Sequence, residues 1–200
     1  MNAAAVIFDL GGVVLQSPLD VIASYESESR IPEGTINRHV AGQGDDGAWG
    51  RHEKGLIDFA TFCDLFESEL AAKGVVVDAA ELMARIAAFA VSRPAVLAEI
   101  ARLRTAGYKV AALTNSWETM PIEGLEGSFD LVVESWREGV RKPDREIFAT
   151  TLERLRVTPG QTLFIDDLGP NLKTARAMGM DTFKATDEES LVRFLRALGS

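Results

Sequence analysis

The sequence is poor in cysteine, in basic residues and in long apolar runs, and each shortage excludes something. Cys63 is its single cysteine, so no disulfide can form within the chain, and a reducing, cytoplasmic setting is the expectation. Lys and Arg number 21 against 30 Asp and Glu, for a formal net charge of −9. A nucleic-acid partner is therefore not expected, because phosphate backbones are held by a basic face. A small phosphorylated ligand stays open, since it needs only a few local donors or a metal. No apolar run approaches the ~20 residues that cross a bilayer, so no membrane partner is expected. The apolar start, Met1 to Leu15, carries Asp9 in its middle and no basic stretch, which makes it a poor secretory signal. Neither a solenoid-like repeat nor a low-complexity tract is present.

What remains is ordinary globular composition: 200 residues, 46% hydrophobic and 26% charged. That suits one domain, or one domain with a sizeable insertion. Ala4 to Leu10 is a short run of β-branched and aromatic residues, broken by Gly11-Gly12, and predicts a strand buried on both faces. Similar strands are predicted over 108–114, 129–134 and 162–166, with a short fifth over 182–184. Between them lie helical patterns over 93–106, 144–155, 171–178 and 188–198. The first opens on Pro94 and stops at Gly107, both ordinary helix punctuation. Alternating buried strands and helices predict an α/β fold, a doubly wound parallel sheet.

The stretch from Pro18 to Phe89 has a different pattern. Apolar periodicity predicts helices over 19–29, 33–40, 58–72 and 78–89, with Asp58 as an N-cap and Gly74 past the end of its helix. Residues 42–50, GQGDDGAWG, read as a glycine-rich loop. The organisation expected is an α/β core of residues 1–16 and 92–200, with an all-helical cap of residues 17–91 inserted after the first strand. Such an insertion stands above the strand ends, where open α/β sheets bind ligands.

Four segments place polar residues at or just beyond the carboxyl ends of predicted strands: Asp9, Thr114-Asn115, Lys142 and Asp166-Asp167. In a parallel sheet those ends share one edge, so residues far apart in sequence converge. Three carboxylates in one site repel one another, and hard oxygen ligands favour Mg²⁺ as the neutraliser. A shielded carboxylate can attack phosphorus and form an aspartyl-phosphate. Lys142 would hold the carboxylate and the phosphoryl oxygens, and Thr114 and Asn115 would donate to them.

These segments, FDLGGVV, LTNS, RKP and FIDDLGPN, resemble the signature of the haloacid dehalogenase (HAD) superfamily, in that family's order and over nearly the whole chain. RIPEGTI, GAWGRHEKGLI, FDLVVES and NLKTARAMGM add a closer resemblance to the phosphatase-type domain of soluble epoxide hydrolases and to a similar domain fused to acyl-CoA dehydrogenase-like proteins. The resemblance implies a Rossmann-like core with a helical cap and a Mg²⁺-dependent phosphatase of a small phosphomonoester. By position it implies Asp9 as nucleophile and metal ligand, Thr114 and Asn115 as phosphate or substrate contacts, and Lys142 as the lysine of the third motif. Asp167 is the implied direct metal ligand, Asp166 a ligand direct or through water, and Asn171 a support for that loop. One departure stands out. Where the family's phosphatases carry a second Asp as general acid and base, this chain has Gly11, whose carbonyl still suits a metal. An easy leaving group, a substitute such as His52 or Glu53, or a catalytically weak module that mainly binds are the alternatives this opens. A metal-independent haloacid dehalogenase is another, against which the acidic pair argues.

Other residues carry less. His39 lies on an amphipathic pattern and reads as structural, whereas His52 follows Trp49 and could face the pocket. Trp49, Trp117 and Trp136 are packing residues by default, with Trp117 the best placed to line a site. Cys63 lies among Phe59, Phe62 and Phe66 and reads as a buried thiol.

Overall fold

The computed structural model describes residues 3–120, 122 and 124–198. Five strands, β1 (Ala5–Phe8), β2 (Lys109–Thr114), β3 (Leu131–Glu134), β4 (Thr162–Asp166) and β5 (Asp181–Lys184), form one sheet. Their order is β3-β2-β1-β4-β5, and every neighbouring pair is parallel. The doubly wound α/β sheet expected from the sequence is the fold observed.

Residues between β1 and β2 supply six helices: α1 (Pro18–Glu28), α2 (Thr35–Gln43), α3 (Ala48–Glu53), α4 (Phe59–Ala71), α5 (Ala79–Phe89) and α6 (Pro94–Thr105). Four more follow: α7 (Ser135–Glu138), α8 (Arg145–Leu155), α9 (Gly169–Ala177) and α10 (Glu188–Ala197). Strand residues alternate between two apolar layers. Val6, Phe8, Val110, Ala112, Leu163 and Ile165 pack with α6 and α10 on one face. Ile7, Ala111, Leu113, Val133 and Phe164 pack with α8 and α9 on the other. Period-two alternation in strands buried on both sides is the reason the runs look uniformly apolar in sequence.

Helices α1 to α5 enclose a third apolar cluster, built on Phe62, Phe66, Leu70, Leu82 and Ile86. The chain enters and leaves this helical insertion side by side, Leu15 bridging to Ser92 in antiparallel fashion. Asp58 caps α4 through the Thr61 N–H, 2.8 Å away, as its sequence position predicts.

Helix α3 corrects the sequence reading, which made residues 42–50 a loop throughout. Gly50 sits inside this helix because a Cβ there would strike the Gly44 carbonyl and the Asp45 backbone. Here glycine marks a close approach of two segments rather than a turn. The four-residue α7 was also missed; one helical turn is too short for a periodic signal. None of the helices among the described residues is long and apolar enough to cross a membrane.

Candidate active site

The carboxyl edge of the sheet gathers the four segments. The Asp9 N–H donates to the Ile165 carbonyl at 2.8 Å, so the ladder with β4 still grips the residue past the end of β1. Asp9 Oδ1 accepts the Leu10 N–H at 2.7 Å and lies 2.7 Å from Lys142 Nζ. The chain then leaves through a single π-type turn over Leu10–Val14, closed by the Leu15 N–H on the Leu10 carbonyl.

The two glycines of that turn differ. Gly12 has φ +75° and faces Asp167, whose carboxylate a Cβ would overlap. Only glycine fits there. Gly11 has φ −63° and ψ 129°, a conformation open to any residue. A Cβ at Gly11 would meet only Pro18, with Cδ at 3.3 Å.

Lys142 is 2% exposed. Its ammonium bridges Asp9 and Asp166, the latter at 3.0 Å. Asn115 holds the lysine's backbone from both sides: its amide nitrogen donates to the Lys142 carbonyl (2.9 Å) and its amide oxygen accepts the Lys142 N–H (2.8 Å). The Asn115 side chain thus positions Lys142, and the residue also lines the cleft. Asp166 is fully buried and has both oxygens occupied. Oδ1 accepts from the Leu168 N–H and Asn171 Nδ2, and Oδ2 from Lys142 and Asn171 Nδ2. Asn171 supports this loop, as its position implied. Thr114 lines the cleft with its hydroxyl only 3.4 Å from the Asn115 carbonyl, a long contact easily exchanged for a ligand.

One oxygen each of Asp9, Asp166 and Asp167 lies within 4.8 Å of the others. The electrostatics reflect the crowding. Burial pushes the Asp9 carboxyl well above its usual range; Lys142 opposes this, and Asp166 and Asp167 add to it. Asp167 is pushed up to about 6 by burial and by Asp166, with Lys142 and Arg93 opposing. Burial works against the Lys142 charge, but Asp166 and Asp9 outweigh it and hold the ammonium above its usual range. One buried ammonium facing three carboxylates leaves unbalanced negative charge, and the donors are all hard oxygens. These residues fit a divalent cation.

A cleft of about 870 Å³ opens from Asp9, Gly11, Thr114 and Asp167 toward the helical insertion. Its upper walls are apolar, from Leu19, Ile22, Val40, Trp49, Ile86 and Phe89. Trp117 lines it too; Trp136 instead bonds Glu134 and stacks under Arg137. His52 is not a cleft residue. Its ring stacks on Phe62 at 4.6 Å, Nδ1 faces the Ile57 carbonyl, and burial depresses its basicity. His39 is structural, set between Glu69 and Lys73 at 2.8 Å each. Cys63 is half-buried rather than buried.

Two arginines escaped the sequence reading. Arg141, the neighbour of Lys142 in the RKP segment, has a side chain 12% exposed that bridges Asp45 at 2.7 Å and Glu53 at 2.5 Å. Glu53 also accepts Trp49 Nε1 and, through its main-chain carbonyl, the Ser135 hydroxyl. A core residue therefore fastens the helical insertion. Arg93 donates to the Gly12 carbonyl at 3.0 Å and steadies the turn after Asp9. Adjacency to Lys142 was the one available signal for Arg141; nothing local marked Arg93.

Comparison with known proteins agrees with this geometry. The family model of haloacid dehalogenase-like hydrolases matches residues 3–179. The chain is 37% identical to acyl-CoA dehydrogenase family member 10 of Mus musculus over 97% of its own length and 19% of that protein. It is 28% identical to bifunctional epoxide hydrolase 2 of Sus scrofa over 98% of its length and 38% of that protein. The chain thus spans less than two-fifths of these relatives. Among solved structures, a HAD family enzyme of Bacteroides thetaiotaomicron, in complex with magnesium and inorganic phosphate, superposes with a TM-score of 0.67. The identity is 25%, and the match covers 94% of this chain and 98% of that one. On the strength of the family match and the carboxylate edge it coincides with, this chain belongs to the haloacid dehalogenase-like hydrolases.

Proposed function

We propose that the chain is a Mg²⁺-dependent phosphatase of small phosphomonoesters that works through an aspartyl-phosphate on Asp9. The observation that carries this reading is the meeting of Asp9, Asp166 and Asp167 around a single buried lysine at the sheet edge. The solved relative that holds magnesium and phosphate supports it. We read residues 17–91 as a cap over a core of residues 1–16 and 92–200.

Asp9, Asp167 and the Gly11 carbonyl would hold the cation, with Asp166 reaching it through water because its oxygens are already engaged. Bound there, Mg²⁺ supplies the positive charge that lets an anionic phosphoryl group approach an anionic carboxylate. Lys142 and the Leu10 N–H both hold Asp9 Oδ1, which fixes the carboxylate's rotation and leaves Oδ2 without a protein donor among the described residues. Oδ2 attacks phosphorus. Thr114 and Lys142 bear on the phosphoryl oxygens, where transition-state charge gathers. Asn115 keeps Lys142 in register. The apolar upper walls favour an ester whose organic group is apolar.

The test is phosphate release from a phosphomonoester panel by wild type and Asp9→Asn, with Mg²⁺ and with EDTA. Release that needs Mg²⁺ and falls about 10⁴-fold or more in the variant is expected. Undiminished turnover by a folded Asp9→Asn protein refutes the nucleophile. Full activity on a haloacid after chelation would instead make Asp9 a dehalogenase nucleophile.

A further inference from the structure

Resting on the aspartyl-phosphate reading, we infer that the chain is built for phosphoryl donors whose leaving group departs without a proton, acyl phosphates above all, and that its phosphoenzyme is long-lived. The observation is the unfilled position beside the nucleophile. Gly11 lines the cleft in an ordinary backbone conformation, so no strain demands glycine there. Around the place its side chain would occupy lies only Pro18.

No other cleft group substitutes. Glu53 is taken by Arg141 and Trp49. Asp45 lies on Arg141 and Lys54. Asp144 caps α8 by accepting the Glu146 N–H. His52 is stacked outside the cleft. Gln16, Asn37, Thr114 and Asn115, which also line it, are neutral groups with no proton to give or take near neutral pH. Asp9 and Asp167 are committed to the proposed nucleophile and cation site, and Lys142 to Asp9 and Asp166; among the other described residues lining the cleft, none is a free acid or base beside Gly11.

Each half-reaction is affected in its own way. In the first, Asp9 Oδ2 forms a bond to phosphorus while the bond from phosphorus to the leaving oxygen breaks, and that oxygen keeps the electron pair. An acyl phosphate releases a carboxylate, which is stable as it leaves. A simple alcohol would leave as an alkoxide and needs a proton that no uncommitted group among the described residues lining the cleft supplies. In the second half-reaction, a water oxygen bonds phosphorus, Asp9 recovers its electron pair, and the water proton must go to a base. Without one this step is slow. General acid–base help is worth ~10²–10⁴-fold in each direction.

The experiment mixes the full chain and Mg²⁺ with acetyl phosphate or benzoyl phosphate. Phosphorylated protein is followed by intact mass and hydroxylamine lability, and phosphate release in parallel. Expected is a burst approaching one phosphoryl group per chain, absent in Asp9→Asn, then slow release. Gly11→Asp should speed decay of the phosphoenzyme about 10²-fold or more and admit alkyl phosphates. Asp9-dependent release with no accumulated phosphoenzyme, or alkyl phosphates turned over as fast as acyl phosphates, overturns this inference and leaves the phosphatase reading standing. No Asp9-dependent transfer from any donor overturns both. The wild-type burst does not depend on how the variants fold.

Discussion

The two ends of the cleft are built by opposite means. At the sheet edge the gathered site residues are charged or polar, and most are committed: Asp166 accepts four contacts, Lys142 bridges two carboxylates, and Asn115 spends both ends of its amide on one neighbour. The other end is walled mainly by apolar side chains, Leu19, Val40, Phe89 and Trp49 of the helical insertion, with Trp117 from beyond β2. The difference teaches a division of labour. On the proposed function, the floor would fix reaction geometry and tolerate little change, whereas the walls would supply shape and apolar area, which give way gradually.

The strongest test of that contrast is Lys142→Met. It leaves Asp9 and Asp166 buried without their cation, and removing one partner from a buried pair costs about 3–5 kcal/mol. A denaturant midpoint lowered to match, together with loss of phosphate release, is expected. A near-neutral change in stability would mean that the floor is far more solvated than its burial implies.

Asp167→Asn asks whether the floor is strained by its own charge. A carboxyl raised in the folded state binds its proton more tightly there than in the unfolded chain. Metal-free stability therefore falls as pH rises from about 4 through about 6. A rise from 3.8 to about 6 is roughly 3 kcal/mol at 1.36 kcal/mol per pH unit, an upper bound for this group. Metal-free Asp167→Asn should accordingly be more stable than wild type at pH 7.5 and nearly equal to it at pH 4. Mg²⁺ should stabilise wild type more at pH 7.5 than at pH 5, because the cation competes with protons for the site. The variant should lose most of that response. Melting curves with and without Mg²⁺ at the three pH values decide it.

How much of this was legible follows the same division. The sheet, its helices and the floor residues came from the sequence because strand ends, glycine breaks and acidic pairs are local signals, and a parallel sheet brings local signals to one edge. What escaped was non-local. Helix α3 was hidden because Gly50 serves a contact with Gly44 and Asp45, invisible without the fold. Arg141 carried no signal beyond its place beside Lys142, because its partners, Asp45 and Glu53, are nearly a hundred residues away in the chain. The grip of Asn115 on the Lys142 backbone went unseen because its bonds span a loop whose path the sequence does not give.

Adjacent glycines sharpen the contrast at a smaller scale. Gly12→Ala places a Cβ against the Asp167 carboxylate at φ +75°, and should cost about 2 kcal/mol or more and most of the activity. Gly11→Ala meets only Pro18, at 3.3 Å, and should stay within about 1 kcal/mol of wild type. Equal losses from the two would show that the turn, and not the Asp167 contact, governs both positions.

The smallest effect belongs to the walls. Leu19 lines the cleft and is 38% exposed, so Leu19→Lys can swing its ammonium into water and leave the fold intact. It removes apolar area only where the organic part of the substrate lies. Losing one such contact is worth about 1 kcal/mol, or roughly a fivefold rise in KM for a substrate with a bulky apolar group. The kcat should hold, because the floor is untouched and uniform binding is what was lost. With acetyl phosphate, which is too small to reach the wall, neither constant should move. A fall in kcat with both substrates would mean that Leu19 acts on the chemistry, and the separation of floor from walls would then be wrong at its rim.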